Sequence, residues 1–481
     1  MAERLLFTAA RAAAAAGASL AGEGGAAILE VVVDSRAARP GALFVALPGE
    51  KADGHDFAAA ALAAGASCVL AAASRRTKVE ADCAALAAAR GAALIFAESP
   101  LAALQALARE HRRGFPGILR IGITGSSGKT TTKECAAAAM GRSRSLVMNP
   151  GNLNSDIGLP LSVFAMGSGH ELGIFEMGMN RAGEMGELAS VYEPDIALIT
   201  NVGTAHIGIL GSRDRIAEEK KSVFSRFDGR QTGFVWEDDD YNAYLKEGVR
   251  GEVLDFGPRS TRGFRGARDL GLDGYEVDWE GLKFRFPLAG RHNLLDAIAA
   301  MALAGRVGTP PPDLAEGLAS VRPLFGRSEV LKGEITVLRD CYNANPDSVE
   351  AAIGLCDDLA WKGRRAYVLG SMLELGGESA DTHRGMGARA GASAAAALFF
   401  FGGETRPAFE AARSAGFRGL LVFETDFDRL RDAVRAWLRP GDLVLLKASR
   451  AMALERLSDS LASAFAVAVG AGPEAATHFK A

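Results

Sequence analysis

Cysteine is scarce in this chain. Five of the 481 residues are cysteines (Cys68, Cys83, Cys135, Cys341 and Cys356), and none falls into C-x-x-C or zinc-ligand spacing. That scatter argues against a disulfide framework or a structural zinc site and fits a reducing compartment. Cys135 reads as buried small-residue packing rather than as a reactive thiol. An excess of one charge is lacking too. The net charge of −4 offers no basic footprint for nucleic acid. Long hydrophobic runs are also missing. The Ala-rich start, Met1 to Leu20, has a longest apolar run of only Ala12 to Ala16, bounded by Arg11 and Gly17, and Glu3 stands where a secretory signal needs basic charge. A second run, Ala394 to Phe401, is far short of the ~20 residues that span a bilayer. The expectation is a cytoplasmic enzyme without membrane insertion. With 48% hydrophobic and 23% charged residues, the chain can build sizeable cores, and its length suggests about three domains of ~150 residues.

The most informative segment is Ile121-Gly122-Ile123-Thr124-Gly125-Ser126-Ser127-Gly128-Lys129-Thr130-Thr131-Thr132-Lys133-Glu134. The apolar run Ile118 to Ile123 predicts a buried strand, and Thr130 to Met140 a helix ending at Gly141. Between them lies a Gly/Ser loop whose backbone N–H groups can cradle phosphate oxygens at a helix start. Lys129 adds a positive charge near the terminal phosphates, and the Thr130 hydroxyl can hold Mg²⁺. The spacing departs from the usual G-x-x-x-x-G-K-[ST], because Ile123 stands where the first glycine would be. Gly125 and Gly128 frame a shorter T-G-S-S-G-K-T.

Three blocks emerge. The first, to about Glu98, holds β-like runs at Leu29 to Val33, Leu43 to Leu47 and Cys68 to Ala72, and Ser99 to Arg113 reads as a connecting helix. The second begins at the phosphate strand and adds strand candidates at Gly173 to Phe175, Ile196 to Thr200 and Gly233 to Trp236. The third follows Thr309-Pro310-Pro311-Pro312, which cannot continue a helix. In it, strands at Ile335 to Leu338, Ala366 to Leu369, Ala397 to Phe401, Leu420 to Phe423 and Leu443 to Leu446 alternate with helices, which suggests a mostly parallel sheet covered on both faces.

Polar clusters follow the second-block strands. Glu176 comes directly after one and His206, in Asn201-Val202-Gly203-Thr204-Ala205-His206, after another. Ligands of open α/β sheets bind at the carboxyl ends of strands, so this shared position favours ligand roles over satisfied polar residues. Glu176 suits Mg²⁺ as a hard oxygen donor; a histidine is less usual for that ion. In Glu218-Glu219-Lys220-Lys221, composition alone reads a solvated helix face. Gly290-Arg291-His292-Asn293 before the helix-like Leu294 to Leu303 reads equally as a turn with an N-cap, and Asp340-Cys341-Tyr342-Asn343-Ala344-Asn345-Pro346 equally as an Asn-Pro turn.

Taken in order, these segments resemble the Mur ligase family from about Asp34 to about Leu457. The resemblance rests on Asp34-Ser35-Arg36, Pro40 to Gly49 and Asp53-Gly54-His55-Asp56-Phe57, on the shortened phosphate loop, and on Tyr342-Asn343-Ala344-Asn345-Pro346. It also rests on Val368 to Gly376 with His383, and on Leu446-Lys447-Ala448-Ser449-Arg450 with Glu455. It implies an α/β protein of three domains: a small N-terminal α/β UDP-binding domain (1–98), a central P-loop-type ATPase domain with a mostly parallel sheet (99–312), and a C-terminal Rossmann-like α/β domain (313–481). The segment Tyr342 to Pro346 is similar to the branch that adds D-alanyl-D-alanine. The implied reaction is therefore ATP-dependent amide formation between UDP-N-acetylmuramoyl-tripeptide and D-alanyl-D-alanine, through an acyl phosphate, by a monomeric enzyme.

Residue roles come from the same resemblance. Thr124, Gly125, Ser126, Ser127, Gly128, Lys129, Thr130 and Thr131 would form the ATP loop. Asn293 would contact adenine, Arg327 phosphate, and Asp340 would arrive as the C-terminal domain closes on the nucleotide. Two Mg²⁺ sites would draw on Thr130, Glu176, His206 and Lys220, the last as a CO₂-derived carbamate, which reverses the solvated-face reading. Lys129, Lys220, His206 and Glu176 form the implied catalytic group. Ser35 and Arg36 belong to the domain that holds the UDP end, Asn152 and Asn154 lie near the muramoyl-peptide, and Tyr342, Asn343 and Asn345 lie on the acceptor side. Ser155, Glu237, Cys341, Ser371 and Ala448 depart from the family pattern without removing a phosphate or metal ligand. With every charged ligand present, a binding protein that has lost catalysis is the poorer alternative.

Overall fold

A computed structural model describes residues 5–49 and 52–468. Glu3 and the far ends of the first and third blocks lie outside these residues. The apolar runs read from the sequence are strands, and several are buried along their whole length, among them Cys68–Ala72, Leu172–Glu176, Ala397–Phe401 and Leu443–Lys447. Burial on both faces is why they read as continuous apolar runs rather than alternating ones. Among the described residues no helix is long and apolar enough to cross a membrane.

The chain packs as two compact units. The first comprises Met1–Gly122, Ser145–Met179 and Gly183–Ile196. Its five-stranded sheet runs in the order Ser19–Gly22, Ala93–Ala97, Cys68–Ala72, Ala42–Val45, Glu30–Val32. Only the edge strand Ser19–Gly22 is antiparallel. Phe44, Leu62, Val69, Val79 and Leu94 fill the core beneath the helices Ala58–Ala63 and Arg76–Arg90. The expected connecting helix is Pro100–Arg113: the Ser99 hydroxyl accepts from the Ala102 N–H at 3.3 Å, and Pro100 occupies the first turn, where its missing N–H costs nothing. The strands Leu146–Met148 and Leu172–Glu176 pair in parallel in this unit.

The second unit comprises Ile123–Arg144, Asn180–Ala182 and Ala197–Ala481. Strands Glu252–Phe256, Thr232–Trp236 and Ile196–Ile199 are successive neighbours at its phosphate-loop end. A six-stranded sheet farther along runs Glu329–Lys332, Thr336–Asp340, Leu443–Lys447, Arg365–Gly370, Ala397–Phe401, Leu420–Glu424. Its first pair is antiparallel and the rest parallel. Side chains alternate between its two covered faces. Val368 joins Leu430, Val434, Leu457 and Leu461 on one, while Tyr367 and Leu369 join Val349, Ile353 and Met386 on the other. This is the two-sided layering that the alternation of strands and helices implied.

Two features were not expected. Residues Phe264–Asp269, Tyr275–Trp279 and Leu282–Phe286 form an antiparallel three-stranded meander. Its middle strand buries only Tyr275, Val277 and Trp279, and Glu276 and Asp278 point the other way, so no apolar run marks it. The proline run likewise ends one element and starts another. Helix Arg291–Val307 stops before Gly308, and a new helix, Pro311–Ser320, begins inside the run with prolines in its first turn. This helix spans the 312/313 boundary and packs on the phosphate-loop helix, where a Cβ on Gly317 would overlap the Ala138 carbonyl.

Candidate active site

The strand Leu119–Thr124 runs into the phosphate loop, and the helix Lys129–Met140 leaves it. Both glycines are required, for different reasons. Gly125 has φ +151° and lies so close to Thr200 that a Cβ would overlap its Oγ1. Gly128 has φ +81° and faces the buried carboxylate of Asp296. The residues after strand Ile196–Ile199 brace the loop. Ser126 donates its N–H to the Asn201 carbonyl at 3.0 Å, and Ser127 donates its N–H to Asn201 Oδ1 at 3.1 Å. Thr200 Oγ1 donates to the Ser127 carbonyl at 2.5 Å, and the Gly203 N–H donates to Ser126 Oγ at 2.9 Å. Lys129 Nζ donates to the Gly125 carbonyl at 2.9 Å, folding over the cradle. Thr130 is buried at the first turn, and Thr131 beside it is half-buried. The helix start directs its partial positive charge at this loop, which favours a polyanion.

His206 and Lys220 share an electrostatic environment with Lys129. His206 is held in the left-handed region (φ 67°, ψ 18°) immediately before the short helix Ile207–Leu210. Burial, and then the nearby charges of Lys129 and Lys220, lower its pKa to about 4. Lys220 closes the helix Arg213–Lys221, which Ser212 caps, and it is 1% exposed. Burial first, then repulsion from Lys129, pushes its ammonium well below the usual lysine range, against weaker attraction from Glu219 and Asp239. The solvated-face reading is thus wrong for Lys220. It fails because helical periodicity turns Lys220 inward with Ile216 and Ala217, while Lys221 lies over the Tyr244 ring at 4.3 Å.

A neutral, buried imidazole binds fewer protons than the unfolded chain between its folded pKa of about 4 and its ordinary 6.5. Stability therefore rises with pH across that window. In the metal-free protein, the urea midpoint is expected to climb between pH 4.5 and 6.5, and His206→Gln to flatten part of that climb. An unaltered slope in the variant would count against the burial assigned to His206.

Residues of the third block meet near the helix Arg291–Val307. Asp340 Oδ1 accepts from the Ser328 N–H at 3.0 Å, and Oδ2 pairs with Lys447 Nζ at 2.8 Å. Lys447 also donates to the Asn343 carbonyl at 2.9 Å. The Arg327 guanidinium stacks over Tyr342 at 4.1 Å, and its charge acts on Asp296 behind the phosphate loop. Asn293 is buried and donates to the Ala289 carbonyl at 2.7 Å. Asn345 caps the helix Pro346–Asp358 in a reciprocal pair with Ser348, and the Asn343 side chain accepts from the Ala344 N–H. The Asn-Pro turn reading therefore describes Asn345 correctly as far as its side chain goes. Two departures have local partners. Ser371 Oγ donates to Glu404 at 2.7 Å, and the Glu237 carboxylate accepts the N–H groups of Arg259 and Ser260.

The first unit holds the other expected residues. Glu176 ends its strand with the side chain buried, and Asn154 Nδ2 donates to its Oε1 at 2.6 Å. Asn149 clamps the same residue, accepting from its N–H at 2.9 Å and donating to its carbonyl at 3.0 Å. Asn152 is exposed. Arg36 folds back onto Asp34, with contacts of 2.7 to 3.1 Å that hold the Asp34 carboxyl at about 2, and Ser35 lies half-buried between them. Sequence reasoning missed Asn149, Thr200, Asn201 and Asp296 as scaffold. Asn149, Thr200 and Asn201 carry the positional signal already used for Glu176, since each adjoins the carboxyl end of a strand.

Among the described residues no three His, Cys, Asp or Glu side chains gather as a ready metal cage. What is present near the phosphate loop is the Thr130 hydroxyl, the neutral imidazole of His206 and the buried amine of Lys220 with its lowered pKa, while Glu176 is buried in the first unit. The Thr130 hydroxyl is an oxygen donor of the kind Mg²⁺ takes once a nucleotide contributes phosphate oxygens.

Comparison with known proteins follows the chain. Residues 28–112 match the model of the Mur ligase family catalytic domain, 123–304 the Mur ligase middle domain, and 326–450 the Mur ligase glutamate ligase domain. The chain is 44% identical over 436 residues to the UDP-N-acetylmuramoyl-tripeptide–D-alanyl-D-alanine ligase of Treponema pallidum, covering 90% of this chain and 93% of that one. It is 33% identical over 437 residues to the ligase of the same name from Bacillus subtilis, covering 90% and 92%. Among solved structures, MurF from Acinetobacter baumannii superposes with a TM-score of 0.84 at 27% identity, covering 95% of this chain and 99% of that one. The MurF ligase of Thermotoga maritima in complex with ADP gives a TM-score of 0.77 at 28% identity, covering 90% and 97%.

Proposed function

The chain belongs to the Mur ligase family, and we propose that it joins D-alanyl-D-alanine to UDP-N-acetylmuramoyl-tripeptide, converting ATP to ADP and phosphate. One observation carries the reading. The 44% identity to the Treponema pallidum ligase extends over 90% of the chain, and so takes in both the phosphate loop and the Tyr342 to Pro346 segment. In this reading the first block, residues 1–98, holds the UDP end of the precursor, with Ser35 and Arg36 contributing. Residues 99–312 hold ATP, and residues 313–481 present the acceptor beside Tyr342, Asn343 and Asn345. The enzyme acts as a monomer in the cytoplasm, where both substrates are free nucleotides or peptides.

The chemistry explains the basic cluster. A carboxylate is a poor acyl donor, because its leaving group would be oxide. Its attack on the γ-phosphorus of ATP forms a C(O)O–P bond, breaks the bond to the β–γ bridging oxygen, and releases ADP. The amine of D-alanyl-D-alanine then attacks the acyl carbon, passes through a tetrahedral intermediate, loses a proton and expels phosphate. Lys129 and Arg327 neutralise the charge on the phosphoryl group during the first step, while the loop N–H groups hold it in line. Asn293 orients the adenine, and Asp340 follows the nucleotide from the third block. Bound Mg²⁺ would supply further charge neutralisation, held by Thr130 and His206 and by the Glu176 carboxylate.

Lys220 is proposed to carry a carbamate. Burial beside Lys129 lowers the pKa of its amine, which favours the neutral form that adds to CO₂, giving –NH–COO⁻ and a released proton. The product turns a would-be second cation into an anion beside Lys129 and a neutral His206.

The test measures phosphate release with ATP and UDP-N-acetylmuramoyl-tripeptides carrying either diaminopimelate or lysine at the third position. Release should depend on D-alanyl-D-alanine and match the appearance of a product heavier by the dipeptide less one water. Phosphate release without that product would overturn the reading.

A further inference from the structure

The loop that carries His206 is gripped at both ends by carboxylate-bearing segments of the third block. At its start, a single oxygen of Asp347, Oδ2, accepts from the Thr204 N–H at 2.8 Å and from Thr204 Oγ1 at 3.0 Å. Gly203 lies so close that a Cβ there would overlap the same oxygen, while its own N–H reaches Ser126 Oγ in the phosphate loop at 2.9 Å. At the far end, Gly208 packs backbone to backbone on Glu374–Gly376, with no room for a side chain. Glu374 Oε2 lies 3.6 Å from His206 Nδ1, a buried ring nitrogen without a hydrogen-bond partner. His206 (φ +67°) and Glu374 (φ +66°) both occupy the left-handed region. Non-glycine residues persist there only where the surroundings hold them.

Asp347 itself is held from behind. It is the second residue of the helix Pro346–Asp358, whose start is fixed by the Asn345–Ser348 capping box. A carboxylate at this position also suits the helix start. The contact path therefore runs from the third-block helix through Asp347 to Thr204, through Gly203 to Ser126, and along the loop to His206. We propose that Asp347 is a positioning residue for phosphoryl transfer, fixing the loop Gly203–Gly208 so that Ser126 and His206 are in place only while the third block is seated on it. The inference rests on the ligase reading above. Glu374, whose Oε2 stands 3.6 Å from His206 Nδ1, lies at the other end of the same loop.

The test combines two variants and two readouts. In ligand-free protein, Asp347→Ala should speed amide hydrogen exchange across residues 203–208 about tenfold or more. Protection of the helices Lys129–Met140 and Pro346–Asp358 should stay, which shows that the variant is folded. In turnover, kcat should fall on the order of ten- to hundredfold with KM for ATP nearly unchanged, the usual cost of losing a partner that orients a site residue. Asp347→Asn keeps an acceptor oxygen and should recover most of that loss. If Asn and Ala variants are equally slow, charge at the helix start matters and the hydrogen bonds do not, and the proposal fails. Unchanged exchange over 203–208, or a defect confined to KM, overturns it as well. The exchange measurement needs no substrate, so it stands apart from a failure of the ligase assignment.

Discussion

Lys129→Ala is expected to lower ATP-dependent ligation by at least 10²–10³-fold while leaving the fold intact, since losing one preorganised charge contact on a transferring group typically costs that much. The Lys129 ammonium donates to the Gly125 carbonyl, and the turn there is set by the two glycines and by Thr200 and Asn201. Its charge also lowers the pKa of both Lys220 and His206. Removing it both withdraws a cation from the phosphates and lets its neighbours protonate more readily. The check is the initial rate of phosphate release with all substrates saturating, alongside the thermal midpoint. A variant with normal melting and near-normal ligation would remove the phosphate loop from the mechanism.

The second large effect is expected at Lys220. Lys220→Ala should lose most activity, because a neutral methyl replaces the proposed carbamate in a buried site. Short carboxylic acids such as acetate or formate should restore part of it by occupying the vacated space with two oxygens. Restoration should saturate with acid concentration and be absent in Lys129→Ala, whose missing group is a cation. Full activity of Lys220→Ala without any additive would refute the carbamate. Loss of activity with no recovery in any acid would point instead to a lysine needed as an amine.

These two lysines show how far sequence reading goes. Lys129 is legible because backbone chemistry fixes it: a strand, two glycines at positions that reject a side chain, and a helix start form a local motif within ten residues. Lys220 is not legible in that way. Composition reads it as solvent-facing, and the resemblance to a family, rather than its own neighbourhood, singled it out. The structure supplies the reason, since the helix turns it against Ile216 and Ala217 and beside a lysine far away in the chain. The same contrast holds elsewhere. Asn345 was open between an Asn-Pro turn and an acceptor-side role, and its side chain makes the cap that the turn reading implies. The meander at 264–286 is not legible in the sequence, because its half-buried strands alternate polar and apolar residues and form no apolar run.

By itself, the sequence determined the buried parallel strands, the phosphate loop and the type of sheet, because buried parallel strands must be apolar throughout and a phosphate cradle must contain glycine where no Cβ fits. It also marked Glu176 and His206 through their place after strands. Only the tertiary structure decided that Lys220 is buried with a lowered pKa and that His206 stands in a left-handed turn near Glu374. It alone showed that Thr200, Asn201 and Asp347 hold the loop in shape. The physical reason is distance along the chain. Burial, repulsion between like charges and hydrogen bonds across 143 positions, as between Thr204 and Asp347, exist only once the fold has brought those residues together.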